Sequence, residues 1–138
     1  MRIEPGPWRA IGEVRTGPDG KLAMPDPGSV AGVYRFRLAG ADGASVYIGE
    51  SDDLGRRFGH YRNPGPTQRT NIRLNERMKT RLAGGGSVRV ALVTAARLAV
   101  GECSEPMDLD RRASRLLVEE HLLAEARDGR TDSVENIR

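Results

Sequence analysis

The sequence predicts an α+β fold, a small and mainly antiparallel three-stranded sheet flanked by helices. Three observations predict it. Residues 33–38 alternate apolar and cationic side chains, and a returning strand follows an Asp42-Gly43 turn signal. Two stretches with apolar residues at helical spacing come next, and then a β-rich run, SVRVALVT. A long helical pattern from Asp108 precedes a short extended end. Strand–strand–helix–helix–strand–helix order favours antiparallel pairing with helices laid on the sheet.

Each element has a local reason. Residues 1–29 are rich in Pro and Gly (EPGPW, TGPDGK, MPDPGS). They are expected to form an extension ahead of a single domain over 30–138, with a hairpin at Asp19-Gly20 and with Trp8 and Ile11 as anchors. Tyr34, Phe36 and Leu38 share one face of the first strand, with Arg35 and Arg37 on the other. Ser45 to Ile48 returns beside it, which brings Tyr34 and Tyr47 into one neighbourhood, and Gly49 is expected to break that strand. Ser51 reads as the cap of the next helix, with Asp52 and Asp53 in its first turn, where the helix dipole favours carboxylates. Glu50 reads as part of the same helix start. Leu54, Phe58 and Tyr61 form an i, i+4, i+7 stripe. Asn71 is expected to cap a second helix carrying Leu74, Met78 and Leu82, stopped by the glycines at 84–86. SVRVALVT reads as a central strand because it is apolar almost throughout. ARLAVGECSEPM reads as irregular, the longest helix is expected from Asp108 to about Arg127, and SVENI as a short terminal strand.

Composition bounds the function. The chain has 138 residues, enough for one modest core, and a charged fraction of 30% ordinary for a globular domain. Aromatic residues make up only 4%, so each one carries information. No run is apolar enough to span a membrane, no export signal opens the chain, and the single Cys103 can form neither an internal disulfide nor, alone, a zinc site. A cytoplasmic protein is expected. The net charge of +3 is unevenly spread. Between residues 54 and 81 lie Arg56, Arg57, Arg62, Arg69, Arg73, Arg77, Lys79 and Arg81 against the single acid Glu76. A local positive field of this kind attracts polyanions, and guanidinium forks match phosphate oxygens. Arg56, Arg62, Arg69, Arg73, Arg77 and Lys79 are the candidate nucleic-acid contacts.

The stretch GVY at 32–34, followed at hairpin spacing by YIG at 47–49, resembles the GIY-YIG nuclease superfamily, with Val in place of Ile in the first triplet. Arg57 stands where that family carries an arginine on the following helix, and Tyr61 where it has a tyrosine or histidine. RLLVEEHLLA at 115–124 resembles the family's helix bearing a glutamate, aligned on Glu119, with Glu120 as competitor. Asn136 resembles the asparagine that closes the module. The resemblance runs from about Gly32 to Asn136. It implies a metal-dependent endonuclease acting on DNA, with Tyr34, Tyr47, Arg57, Tyr61, Glu119 and Asn136 at its site. It also implies that Glu119 is the one protein ligand of a divalent ion.

Chemistry supports the same residues. Phosphodiester hydrolysis needs an activated water, neutralised phosphate charge and help for the leaving oxygen. Tyr47 can orient the water or take its proton, directly or through Tyr34, provided positive charge brings a phenol down from its usual range near 10. Arg57 can fork onto the phosphate. A lone carboxylate suits Mg²⁺ or Mn²⁺, which keep much of their hydration. His60 lies about 100° around the helix from Tyr61, so a site facing Tyr61 leaves His60 outside it. His121 reads as structural or exposed. With no second domain to select a target, the basic helices or a targeting partner protein must hold the DNA. The alternatives are a non-catalytic nucleic-acid-binding or assembly module with the same fold, and a nuclease acting on RNA.

Overall fold

The computed structural model describes residues 1–129 and 132–135. Its strands are β1 (Arg2–Pro5), β2 (Arg9–Thr16), β3 (Leu22–Ala23), β4 (Gly32–Gly40), β5 (Gly43–Ser51), β6 (Ser87–Val93), β7 (Ala96–Val100), β8 (Cys103–Pro106) and β9 (Ser133–Val134). Its helices are α1 (Leu54–Arg62), α2 (Arg69–Ala83) and α3 (Arg112–Gly129). No helix among the described residues is long and apolar enough to cross a membrane.

The α+β class holds, and the three expected strands form the heart of a wider sheet. β5, β4 and β6 lie side by side, antiparallel, inside the six-stranded order β3-β2-β6-β4-β5-β9. The segment expected as an N-terminal extension supplies three strands. β2 pairs with β6 and β3 folds back on β2, so Asp19-Gly20 lies in the turn between them. β1 joins β7 and β8 in a small separate sheet. ARLAVGECSEPM is therefore the β7–β8 hairpin rather than irregular chain. β9 runs parallel to β5 at the opposite edge of the main sheet.

Alternation along the strands divides the core between two faces. On one face Tyr34, Phe36, Leu38, Val88, Val90 and Leu92 pack under Leu54, Phe58 and Tyr61 of α1 and Leu74 and Met78 of α2. On the other, Val33, Ile48 and Val93 pack under Val118, Leu122 and Leu123 of α3. Trp8 packs on the α3 side and Ile11 on the α1 side, the anchoring roles expected of them. Arg35 and Arg37 also face the α3 side. The Arg35 guanidinium lies 4.7 Å from the Trp8 ring centroid, and Arg37 forks onto Asp132 at 2.8 and 3.3 Å.

The helix starts differ from expectation. α1 is capped by Asp53, whose carboxylate accepts from the Arg56 N–H. Ser51 ends β5, and its hydroxyl bonds both the N–H and the carbonyl of Asp53, holding that cap. α2 begins at Arg69, two residues before Asn71. α3 begins at Arg112 because Asp108 and Asp110 belong to a preceding turn.

Candidate active site

The two triplets meet through their glycines. In the β4–β5 register Tyr34 faces Gly49, and Tyr47 faces Phe36. The Tyr34 ring lies over the Gly49 backbone, where a Cβ would come within 2.4 Å of the phenol oxygen. Gly49 therefore does not break β5. It makes room for the tyrosine of the first triplet. At Gly32 a Cβ would sit 2.7 Å from the Val93 carbonyl oxygen of the neighbouring strand. Both glycines serve close approach, the use for which a residue without Cβ is suited.

Five of the six aromatic side chains gather here. Tyr34 contacts Phe36, Phe58 and Tyr61 with ring centroids 5.2, 5.5 and 5.9 Å apart, and Tyr47 at 6.3 Å. The Tyr34 and Tyr61 hydroxyls are 2.5 Å apart in a buried hydrogen bond between α1 and β4. Both rings are almost wholly enclosed, at 1% and 0% exposure, whereas Tyr47 is only partly covered.

Burial decides how these phenols ionise. It pushes Tyr34 well above its ordinary value, the neighbouring Tyr61 and Tyr47 add to the rise, and Arg57 opposes it without prevailing. Burial raises Tyr61 as well, again against the pull of Arg57. Desolvation of a phenolate outweighs one half-exposed guanidinium. Tyr34 and Tyr61 are neutral hydrogen-bonding groups, and Tyr47 is the phenol open to solvent.

Arg57 stands at the rim of this cluster. Partial burial works against its charge. The phenols of Tyr34, Tyr61 and Tyr47 and the Glu50 carboxylate outweigh that penalty and hold the guanidinium above its ordinary value. Beyond Arg57 opens a cleft of about 500 Å³ between α1 and the start of α2, walled by Arg56, Arg57, His60 and Arg69. His60, expected outside the site, lines this cleft. Tyr61 points inward instead, which leaves Arg57 and His60 as i, i+3 neighbours on the open side of α1.

Glu119 is buried on α3, at 5% exposure, and Glu120 is exposed. One turn before Glu119, on the same face, Arg115 is equally buried. Its Nε donates to Glu50 at 2.6 Å and its Nη1 to the carbonyls of Leu109 and Asp110. Glu50, expected as a helix-start residue, is therefore the bridge. It is the penultimate residue of β5 and, through Arg115, ties that strand to the helix that carries Glu119. Its role is visible only in three dimensions, because Arg115 lies 65 residues away. Asn136 lies outside the described residues.

Among the described residues no three His, Cys, Asp or Glu side chains group as a metal cage. One buried carboxylate such as Glu119 fits a hard divalent ion that keeps most of its water shell, and it does not fit zinc, which takes three or four protein ligands.

The cationic residues separate into groups. Arg56 and Arg69 join Arg57 in the cleft. Arg62 is bonded to Asp19. Arg73 and Arg77 line a second hollow with Arg81 at the far end of α2, together with Asp42 and Glu76. Arg77 is also bonded to Glu135. Lys79 is exposed.

A β-hairpin, a helix that carries Arg57 next to its tyrosines in the fold and a later helix with a buried glutamate make this an α+β domain. Among solved structures the chain is similar to a point mutant of bacteriophage T4 EndoII, with a TM-score of 0.61 over 94% of this chain and 92% of that one. At 15% identity this likeness is one of fold. No protein-family model matches the sequence, and no curated protein matches it.

Proposed function

We propose that the protein is a metal-dependent endonuclease that hydrolyses phosphodiester bonds in DNA. The observation that carries this reading is the convergence on Arg57. Tyr34, Tyr47 and Tyr61, from β4, β5 and α1, cluster through ring contacts and the Tyr34–Tyr61 hydroxyl bond, and Arg57, on the same helix as Tyr61, lines the wall of a basic cleft beside them. The fold shared with EndoII, a nuclease, supports it.

Arg57 forks onto the phosphate and neutralises charge that builds on its oxygens. Tyr47, the accessible phenol, orients the attacking water, with Tyr34 and Tyr61 as its fixed, neutral support. Glu119 holds the divalent ion, Mg²⁺ or Mn²⁺, and its burial beside Arg115 favours it over the exposed Glu120. A bound ion supplies Lewis-acid polarisation of the phosphate. Asn136 belongs to the same set by sequence alone. The protein acts in the cytoplasm on this reading, and either its own cleft or a partner protein selects the target.

Supercoiled-plasmid nicking tests the proposal. The protein should nick with Mg²⁺ or Mn²⁺ and not with EDTA, and Arg57→Ala and Glu119→Ala should each lower nicking by about 100-fold or more, the effect of removing one charged catalytic group, while circular dichroism stays unchanged. Tight DNA binding without cleavage in any divalent metal would identify a binding module instead. Cleavage of RNA but not DNA in a parallel panel would redirect the substrate.

A further inference from the structure

We infer that the cleft between α1 and the start of α2 is a phosphate subsite, in which Arg69 and His60 grip a DNA phosphate beside the one held by Arg57. The inference rests on the nuclease reading and singles out Arg69 among the six candidate DNA contacts.

The argument begins with charge balance. The residues around the cleft include Arg56, Arg57, His60 and Arg69 and no carboxylate. Arg56 is partly compensated by Asp52 at 2.6 Å. Arg57 faces phenols, with Glu50 engaged by Arg115. Arg69 and His60 have no ion-pair partner among the described residues. The cleft therefore holds a surplus of cation donors on two opposed walls, α1 and α2, which is how a backbone is gripped rather than merely attracted.

The backbone adds to this. α2 opens into the cleft at Arg69, Thr70 and Asn71, and Gln68 makes no side-chain cap. The Gln68 side-chain Oε1 is engaged elsewhere, accepting from the Gly65 N–H at 2.8 Å and the Asn71 side-chain amide at 3.1 Å. Within that turn the Arg69 N–H is taken by the Thr67 carbonyl oxygen at 3.1 Å, and the positive end of the helix favours an anion beside the residues that line the cleft.

The second hollow shows why a row of arginines is not enough. Arg73, Arg77 and Arg81 are interleaved there with Asp42 and Glu76, and Arg77 is bonded to Glu135 at 2.5 Å. Arg81 lies against Gly40 and Gly86, where an added Cβ would come within 3.0 Å of its side chain. That arginine fills space in the fold. Arg62 is likewise engaged by Asp19 at 3.0 Å, outside the cleft.

The test is binding of a fluorescently labelled DNA duplex, followed by anisotropy in EDTA across a salt series so that no cleavage intervenes. Arg69→Ala should weaken binding about tenfold at low salt and reduce the slope of log K against log salt by about 0.9, the loss of one phosphate contact. His60→Ala should weaken it about threefold. Arg62→Ala and Arg77→Ala should leave the slope unchanged. Wild-type affinity and slope in Arg69→Ala and His60→Ala would overturn the inference, as would larger losses in Arg62→Ala or Arg77→Ala. Absence of binding by the wild-type protein would overturn it too. Binding with this pattern but no cleavage in any divalent metal would leave the subsite standing and remove the nuclease reading.

Discussion

The two faces of the main sheet come from the same strands and are built to different ends. The face under α3 is mainly aliphatic: Val33, Ile48 and Val93 meet Val118, Leu122 and Leu123, with Arg35, Arg37, the Glu50–Arg115 pair and Glu119 as its polar groups. The face under α1 and α2 is aromatic and carries three phenols, two of them bonded to each other in the interior. An aliphatic face needs only volume and shape. A face with buried hydroxyls must satisfy each one, and in doing so it fixes where side chains point. Tyr34 and Tyr61 are held by packing and by each other, and Tyr47 stands against Tyr34 at the rim, the kind of support a reactive group there requires.

The sharpest contrast between the faces lies in Arg57→Ala against Leu123→Ala. Loss of Arg57 should lower the nicking rate roughly 100- to 1000-fold, the usual effect of removing one donor to a charged transition state. It should barely move the urea midpoint, because Arg57 is half-exposed and lies at the rim of the core. Leu123→Ala should do the reverse. It empties a fully enclosed site and should cost about 3 kcal/mol by urea unfolding, while surviving folded protein keeps its nicking rate. Equal stability losses in both variants would mean that the faces are not functionally distinct.

Gly49→Ala tests whether the aromatic face tolerates added volume. The new methyl would press on the Tyr34 hydroxyl and ring, neither of which can move freely beneath Phe58 and Tyr61. Overpacking of this kind should cost about 2 kcal/mol. Activity should fall further than stability, because Tyr34 and Tyr47 shift together. Unchanged unfolding and nicking would show that the triplet glycine is not needed for close approach.

The same contrast explains what the sequence disclosed. The hairpin and α1 were legible because alternation and the i, i+4, i+7 stripe record burial directly, and Tyr34, Phe58 and Tyr61 are all buried as patterned. β2 left a weaker trace. Val14 is its one fully buried residue, and a register shift between Ala10 and Gly12 interrupts its alternation. β8 is exposed along its whole length, so it has no burial pattern to read. The start of α1 was misplaced by two residues because Ser51 and Asp53 are both good caps, and only the hydrogen bonds show that Ser51 supports the other. The motif residues of the site stood out through unusual types at fixed spacing. His60, Glu50 and Arg115 did not, since what they do depends on partners from other elements. The i, i+3 relation of His60 to Arg57 was the one local signal available.

The smallest expected effect concerns the buried hydroxyl pair itself. Tyr34→Phe keeps the ring and removes one hydroxyl, leaving that of Tyr61 without its 2.5 Å partner. The cost near neutral pH should be about 1 kcal/mol. Its signature lies at alkaline pH. Both phenols ionise above 10.0 in the folded protein, their ordinary value when unfolded. The folded state thus holds two protons that the unfolded chain releases first, and the stabilisation they represent is complete below pH 10 and lost as pH rises toward the folded values. In that window wild-type stability should fall by about 2.7 kcal/mol per pH unit from this pair, and Tyr34→Phe by about 1.4, since one proton rather than two is linked to unfolding. Urea unfolding at steps above pH 10, with phenolate absorbance followed in parallel, measures the difference. Identical alkaline slopes in the two proteins would show that Tyr34 and Tyr61 ionise without unfolding, and the aromatic face would then be more open than its packing implies.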